Sequence, residues 1–598
     1  MSRASRWLFS TSAIAVLAWI EYLVSVLLPA IYRPSPLALE ADDAMRLAQV
    51  RDLLNGQSWW DLTQWRLSPP AGTVMHWTRI VDAPLATLIL FFRFFTSHQT
   101  AEILAVSVWP VLLLLPAWLA VARIATRLAD REAGLAALFL AITCVLTLGY
   151  FKPGEIDHHN AQLVLTLWTT ALVLEIEISP RALGWCGALC GISLGIGLET
   201  LPYVLSISAI VAGFWIWRGE AVAASARHFG LAFAGTAAFL TIAIVSKQAR
   251  FHADCTTFSG IYETCTIVGG LGLTALMMFP PLGASVTRRT ISITALLILL
   301  LLIVTIFAPV CLGGPYYYIT PEINRIWLSH IQEAQPAFST MRPQFAFFFA
   351  TYVYAIASFI SYPVLIALGG RESRQALVIV GIIAGLALAV STFELRGLPF
   401  AIMLGLPGLA AAIRLFSVRF LSRGLVRAVA MIGLLAICSE LSFDLIGVYL
   451  LEGSRHVEQR LAAQDRSETC MKPEAVASLR TLPKGQVAAF VDTAPTVLLY
   501  TPDSVTAGSY RDPDAIEDLY RIYTAKSSDA LNIIRRRKID YLLVCENSPD
   551  FKFYLNSSGA DGLIQRIATG ELPGWLKGNS KSGMVQVYRV TPLSNAAP

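Results

Sequence analysis

LEADDAMRLAQVRDLLNGQSWWDLTQWRLSPPAGTVMHWTRIVDAPL, residues 39–85, is polar, rich in tryptophan and opened by the acids Glu40, Asp42 and Asp43. It follows an apolar run at 7–31 in a chain that is otherwise mostly lipid-soluble. It reads as a loop outside a bilayer, and the rest of the chain as a scaffold holding that loop against other charged residues on the same side. With 598 residues, 55% hydrophobic, 15% charged and a mean hydropathy of +0.59, the chain is too apolar for a water-soluble globule of this size. The expected fold class is mainly α, a polytopic helical membrane protein. A net charge of +5 does not indicate a nucleic-acid partner, because the arginines stand singly between apolar runs, as topology signals do.

Working outward, the run at 7–31 follows Arg3 and Arg6. It is too long for a secretory h-region and has no small-x-small cleavage site before Tyr32, so it reads as a signal anchor. Apolar runs long enough to cross a hydrocarbon core recur at 101–122, 133–151, 160–178, 182–199, 202–217, 228–247, 265–286, 290–311, 344–368, 375–392, 398–414 and 428–451, making about thirteen spans. Pro84–Phe95 is short and contains Arg93, and reads as an interfacial or re-entrant helix. With that choice Arg123, Arg127, Arg131, Arg218, Arg288, Arg371 and Arg414 fall on the cytoplasmic side, as does the N-terminus. The expected location is the inner (plasma) membrane. The other face carries the first loop (32–100), the turn at 155–160, the segment 247–264, the long loop 313–343, the turn at 394–397 and everything after 452. Residues 1–452 thus form a transmembrane domain. Residues 453–598, where β-rich runs such as DYLLVC alternate with helical ones, form a small extracytoplasmic α/β domain. Cys255 with Cys265 and Cys470 with Cys545 are expected as disulfides if both regions face an oxidising compartment.

Charges at a membrane boundary are costly unless paired, hydrated or metal-bound, which makes the external acids functional candidates. Asp42 and Asp43 suit a hard divalent cation or a helix cap. Asp157, His158, His159 and Asn160 form a dense set of ligand types, again with capping as the alternative. Adjacent histidines cannot both face one point on a helix, so one of them is expected to join Asp157. Glu333 lies in an aromatic loop longer than a connector needs. Arg396 suits a phosphate, or an ion pair with Glu394. Trp60, Arg66 and His76 belong to an aromatic and charged stretch that would stack on a sugar ring or anchor the loop at the interface.

The order of these features resembles the GT-C class of membrane glycosyltransferases, in particular oligosaccharyltransferase catalytic subunits. Asp43 in ADDAMRLAQVRDLL, with Asp42 as rival, is similar to that family's first-loop aspartate. Asp157-His158-His159 looks like its second-loop motif, Glu333 in HIQEAQP its long-loop glutamate, and Arg396 its donor-phosphate arginine. His159 stands where the family usually has an acid. The acceptor-reading W-W-D-Y-G motif is absent from the C-terminal region. The resemblance implies transfer of a sugar from a polyprenyl-phosphate-linked donor in the bilayer to a glycan, lipid or protein acceptor. It also implies a divalent metal (Mn²⁺ or Mg²⁺) on Asp43, Asp157 and His159, catalytic roles for Asp43, Asp42 and Glu333, and a phosphate contact from Arg396; His158 and, from the aromatic stretch itself, Trp60, Arg66 and His76 are further expected substrate contacts. The alternatives are an oligosaccharyltransferase with a lipid-diphosphate donor, and a transporter or flippase. The latter normally has midplane charges and repeated halves, neither of which is visible here.

Overall fold

The computed structural model describes residues 10–591 apart from 36–37, 247–249, 251–252, 342–343, 369, 421–423, 453–457, 460–467 and 583. Arg3, Arg6 and the start of the C-terminal region at 453 lie outside these. Among the described residues eight helices are long and apolar enough to cross a bilayer: Thr11–Tyr32, His98–Leu128, Leu198–Arg218, Gly260–Met278, Val286–Phe307, Phe345–Leu368, Ser373–Phe393 and Leu395–Phe420. Leu425–Ile437 and Glu440–Tyr449, bent by 54°, make a ninth if counted as one span.

The other four of the thirteen expected spans are helical but do not reach that length and apolarity. The run at 133–151 breaks at Thr143–Cys144 into Arg131–Ile142 and Val145–Gly149, and the buried carboxylate of Glu440 accepts the freed Val145 N–H at 2.7 Å. His159–Val173 and Pro180–Ile196 have 15 and 17 residues, and Glu220–Ala243 contains Arg227 and His228. The short apolar segment within the first loop forms the 15-residue helix Arg79–Arg93. At about 1.5 Å per residue it is too short to cross.

The C-terminal region contains a five-stranded sheet in the order Ser504–Val505, Gln486–Ala489, Tyr541–Cys545, Val585–Val590, Leu576–Ser582. The first three strands are parallel and the last two antiparallel. The first loop packs directly on this sheet: Met45, Leu67, Met75 and Trp77 share one core with Val487, Val505, Tyr510 and Leu543. Leu67 bridges to Val505 in parallel fashion.

Cys470 and Cys545 form the expected disulfide. The expected Cys255–Cys265 pair does not form. Cys255 bonds Cys311, with Cα atoms 5.1 Å apart, and Cys265 is free. Cys265 is carried off on the helix Gly260–Met278, whereas the turn Pro309–Gly313 at the base of the long loop comes back alongside Cys255.

Candidate active site

The segment 154–160 is fixed by its backbone. Gly154 takes φ +97°, a region that favours glycine, and its N–H donates to Val106 O at 3.0 Å. Asn160 donates to Tyr150 O at 3.2 Å and Glu155 O at 2.9 Å. Asp43, in the first turn of the helix Ala41–Leu54, accepts the N–H groups of both Ile156 and Asp157 at 2.8 Å with one oxygen. Asp43 is therefore a brace between the two loops. Asp42 is one residue earlier, about 100° round the helix, and points elsewhere. Its Oδ1 accepts from the Tyr510 hydroxyl at 3.0 Å.

The braced turn presents Asp157, His158 and His159. Asp157 Oδ1 lies 2.6 Å from His158 Nδ1 and 3.0 Å from the Arg46 guanidinium, and Oδ2 lies 3.2 Å from His159 Nε2. Both histidines thus meet Asp157, against the expectation of one. His158 caps the helix from outside, and only His159 is in it, so helical spacing does not separate them. One ligand atom from each of the three residues lies within 4.8 Å of the others. His159 Nε2 continues to Glu333 at 3.6 Å, Glu333 to Arg396 at 3.2 Å, and Arg396 to Glu394 at 3.3 Å and Glu199 at 4.0 Å. Glu199 comes within 3.5 Å of His158 Nε2, a buried nitrogen without a hydrogen-bond partner among the described residues.

Charge at the site follows from these neighbours. Burial alone would raise Asp157, but the two histidines and Arg46 pull it well below the usual carboxylate range. Burial opposes a charge on His159, yet Asp157 and Glu333 lift it to about 10. Burial would likewise raise Glu333, but Arg396 and His159 bring it down to about 2. Asp42 goes the other way, pushed up to about 7 by burial and by the negative charges of Asp157 and Glu333. Burial and then Glu155 raise Asp43 well above its usual range. Beneath the site lies a buried ladder: Arg46 binds Asp82 at 3.0 Å, Asp82 binds Arg79 at 3.0 Å, and Arg46 stands over the Trp77 ring at 4.5 Å.

Asp42, Asp157, His158, His159, Glu333 and Arg396 thus come together from separate loops. Arg66 does not join them: its guanidinium donates to the carbonyls of Leu498, Thr501 and Asp503 at 2.6–3.2 Å and latches the first loop to the end of the helix Ala494–Tyr500 and the turn after it. Trp60 is 51% exposed and joins none of these contacts. His76 sits against Trp77, with ring centroids 5.2 Å apart, and burial, with Arg511 nearby, holds its pKa well below the usual 6.5. Glu199, Tyr510 and Arg46 are absent from the sequence reading. Glu199 stands in GLETLP between two apolar runs, where the rule applied to Arg396 would have found it. Tyr510 lies in a polar turn with no comparable signal.

No protein-family profile and no curated protein matches this sequence. Solved structures do match. The archaeal oligosaccharyltransferase AglB from Archaeoglobus fulgidus, in complex with an inhibitory peptide and a dolichol-phosphate, superposes with a TM-score of 0.64 at 14% identity, over 100% of this chain and 75% of that one. An A. fulgidus oligosaccharyltransferase tethered to an acceptor peptide containing the NVT sequon gives 0.65 at 12%, over 98% and 76%. A complex with Zn and sulfate gives 0.62 at 13%, over 97% and 73%. The chain is a multi-pass membrane protein with the GT-C fold of these oligosaccharyltransferases.

Proposed function

We propose that this chain is a membrane glycosyltransferase that moves a sugar from a polyprenyl-phosphate-linked donor to an acceptor on the extracytoplasmic face of an inner membrane. The observation that carries the reading is the convergence of Asp42, the Asp157–His159 turn, Glu333 and Arg396 from four segments of the chain at one end of the helices. The dolichol-phosphate held by AglB supports a lipid-phosphate donor.

The residues fit a divalent cation. Asp157, His158 and His159 offer converging oxygen and nitrogen donors, of types that suit a divalent cation. A bound cation would supply positive charge opposite the departing phosphate. Arg396, held in place by Glu333 and Glu394, binds and orients that phosphate. The bond from the anomeric carbon to the phosphate oxygen breaks, and one to the acceptor atom forms. The acceptor's proton passes to Asp42, whose pKa of about 7 suits a general base. Asp43 keeps the Asp157 turn in register and does not touch the reacting atoms.

The test is transfer of radiolabelled sugar from a native lipid extract by the purified full chain, with Mn²⁺, Mg²⁺ or chelator, for wild type, Asp42→Asn and Asp157→Asn. Metal-dependent product reduced by about 10²- to 10⁴-fold in Asp42→Asn, and lost in Asp157→Asn, is expected. Metal-independent transfer untouched by either change would refute the site. A lipid diphosphate as the released product would replace the monophosphate donor with an oligosaccharyltransferase-type one.

A further inference from the structure

Three consecutive residues of the C-terminal region, Ser509, Tyr510 and Arg511, each hold a different loop of the membrane-embedded part. Ser509 Oγ accepts the indole N–H of Trp327, from the long loop that carries Glu333, at 3.0 Å. The Tyr510 hydroxyl donates to Asp42 Oδ1 at 3.0 Å, with Ala41 O at 3.3 Å as its other near acceptor. Arg511 binds both oxygens of Asp254, at 3.0 and 3.3 Å, next to the Cys255–Cys311 disulfide that closes the base of the long loop. The Tyr510 ring is itself fixed, 3% exposed and edge-on to Trp77 at 5.6 Å, and Trp77 supports Arg46 and through it Asp157.

Asp42 has no brace comparable to the two backbone N–H groups that hold Asp43. Without a partner its carboxylate would be free to turn about χ1 and χ2. One phenolic donor on a rigid ring removes that freedom and leaves the second carboxylate oxygen for an acceptor.

We infer that Tyr510 is a positioning residue: it aims the Asp42 carboxylate at the acceptor, so that the C-terminal region completes the catalytic centre. This rests on the transferase reading above.

The experiment is a double-mutant cycle on the full chain, with Tyr510→Phe, Asp42→Asn and the pair, measuring kcat and donor KM. Tyr510→Phe keeps the ring on Trp77 and removes only the donor. The expected result is a fall in kcat of about 10- to 100-fold with donor KM within about twofold, and a double variant no worse than Asp42→Asn alone. A wild-type kcat in Tyr510→Phe, or losses that multiply in the pair, would overturn the inference. The cycle decides even if the single variant loses stability, because a general loosening of the fold adds to the loss of Asp42 and does not vanish with it. A wild-type protein that transfers no sugar would take down the functional reading and this inference together. An active wild type with an indifferent Tyr510→Phe would take down this inference only.

Discussion

Asp82→Ala is expected to be among the most damaging single changes outside the reacting residues. Asp82 and Arg79 have no exposed side-chain surface and Arg46 has 1%, and each guanidinium lies 3.0 Å from a different Asp82 oxygen. Removing the shared carboxylate leaves two buried cations short of a partner. Arg79 keeps the carbonyls of Asp61 and Trp59, and Arg46 keeps Asp157. Breaking a buried pair from one side costs about 3–5 kcal/mol. With an unfolding entropy of roughly 2.1 cal/mol/K per residue, a chain of this length loses about 2–4 °C in melting temperature. The protein carries its own probes: Cys144, Cys186 and Cys190 are free and fully buried, so once the partly exposed Cys265 and Cys438 are blocked with a non-fluorescent reagent, a thiol-reactive fluorophore in detergent reports unfolding. The control is Arg325→Ala, which removes an ion pair with Glu322 in which both side chains are 58% exposed and should shift melting by well under about 1 °C. Equal melting of Asp82→Ala and Arg325→Ala would refute the claim that the ladder supports the fold beneath the site.

Two further outcomes are expected. His76 has a folded pKa well below its unfolded 6.5, so the unfolded chain binds a proton that the folded one refuses. Stability should be intact above 6.5 and fall as pH drops below it, and melting between pH 7 and 5 should decline less in His76→Gln than in wild type. Alkylation of the unreduced protein followed by peptide mass spectrometry should modify Cys265 and leave Cys255 and Cys311 linked. A Cys255–Cys265 peptide would contradict the disulfide pattern.

The candidate site residues were legible because a bilayer leaves few places for a charge: outside the apolar runs, Asp42, Asp157, Glu333 and Arg396 stand out against their surroundings. The different partners of Asp42 and Asp43 were not legible, because adjacent residues on a helix differ by about 100° and only the folded chain shows which element each one meets. Arg66 was read as a substrate contact because its tryptophan-rich neighbourhood suits a sugar. Its true partners are backbone carbonyls far along the chain, which no side-chain pattern announces. The same holds for Cys311, brought to Cys255 by the fold of a loop, and for Tyr510. The break before Val145 and the shortness of His159–Val173, which keep those runs below the length of the eight long helices, are invisible in an apolar run.

The latch between Arg66 and Thr501 joins positions 435 residues apart. At about 5–20 residues per second, synthesis takes roughly 20–90 s to bring the second after the first. Throughout that interval Met45, Leu67, Met75 and Trp77, destined for a shared core, have no sheet to cover them. A ribosome stalled before residue 500 would leave that apolar face bare beside the membrane, open to aggregation and proteolysis.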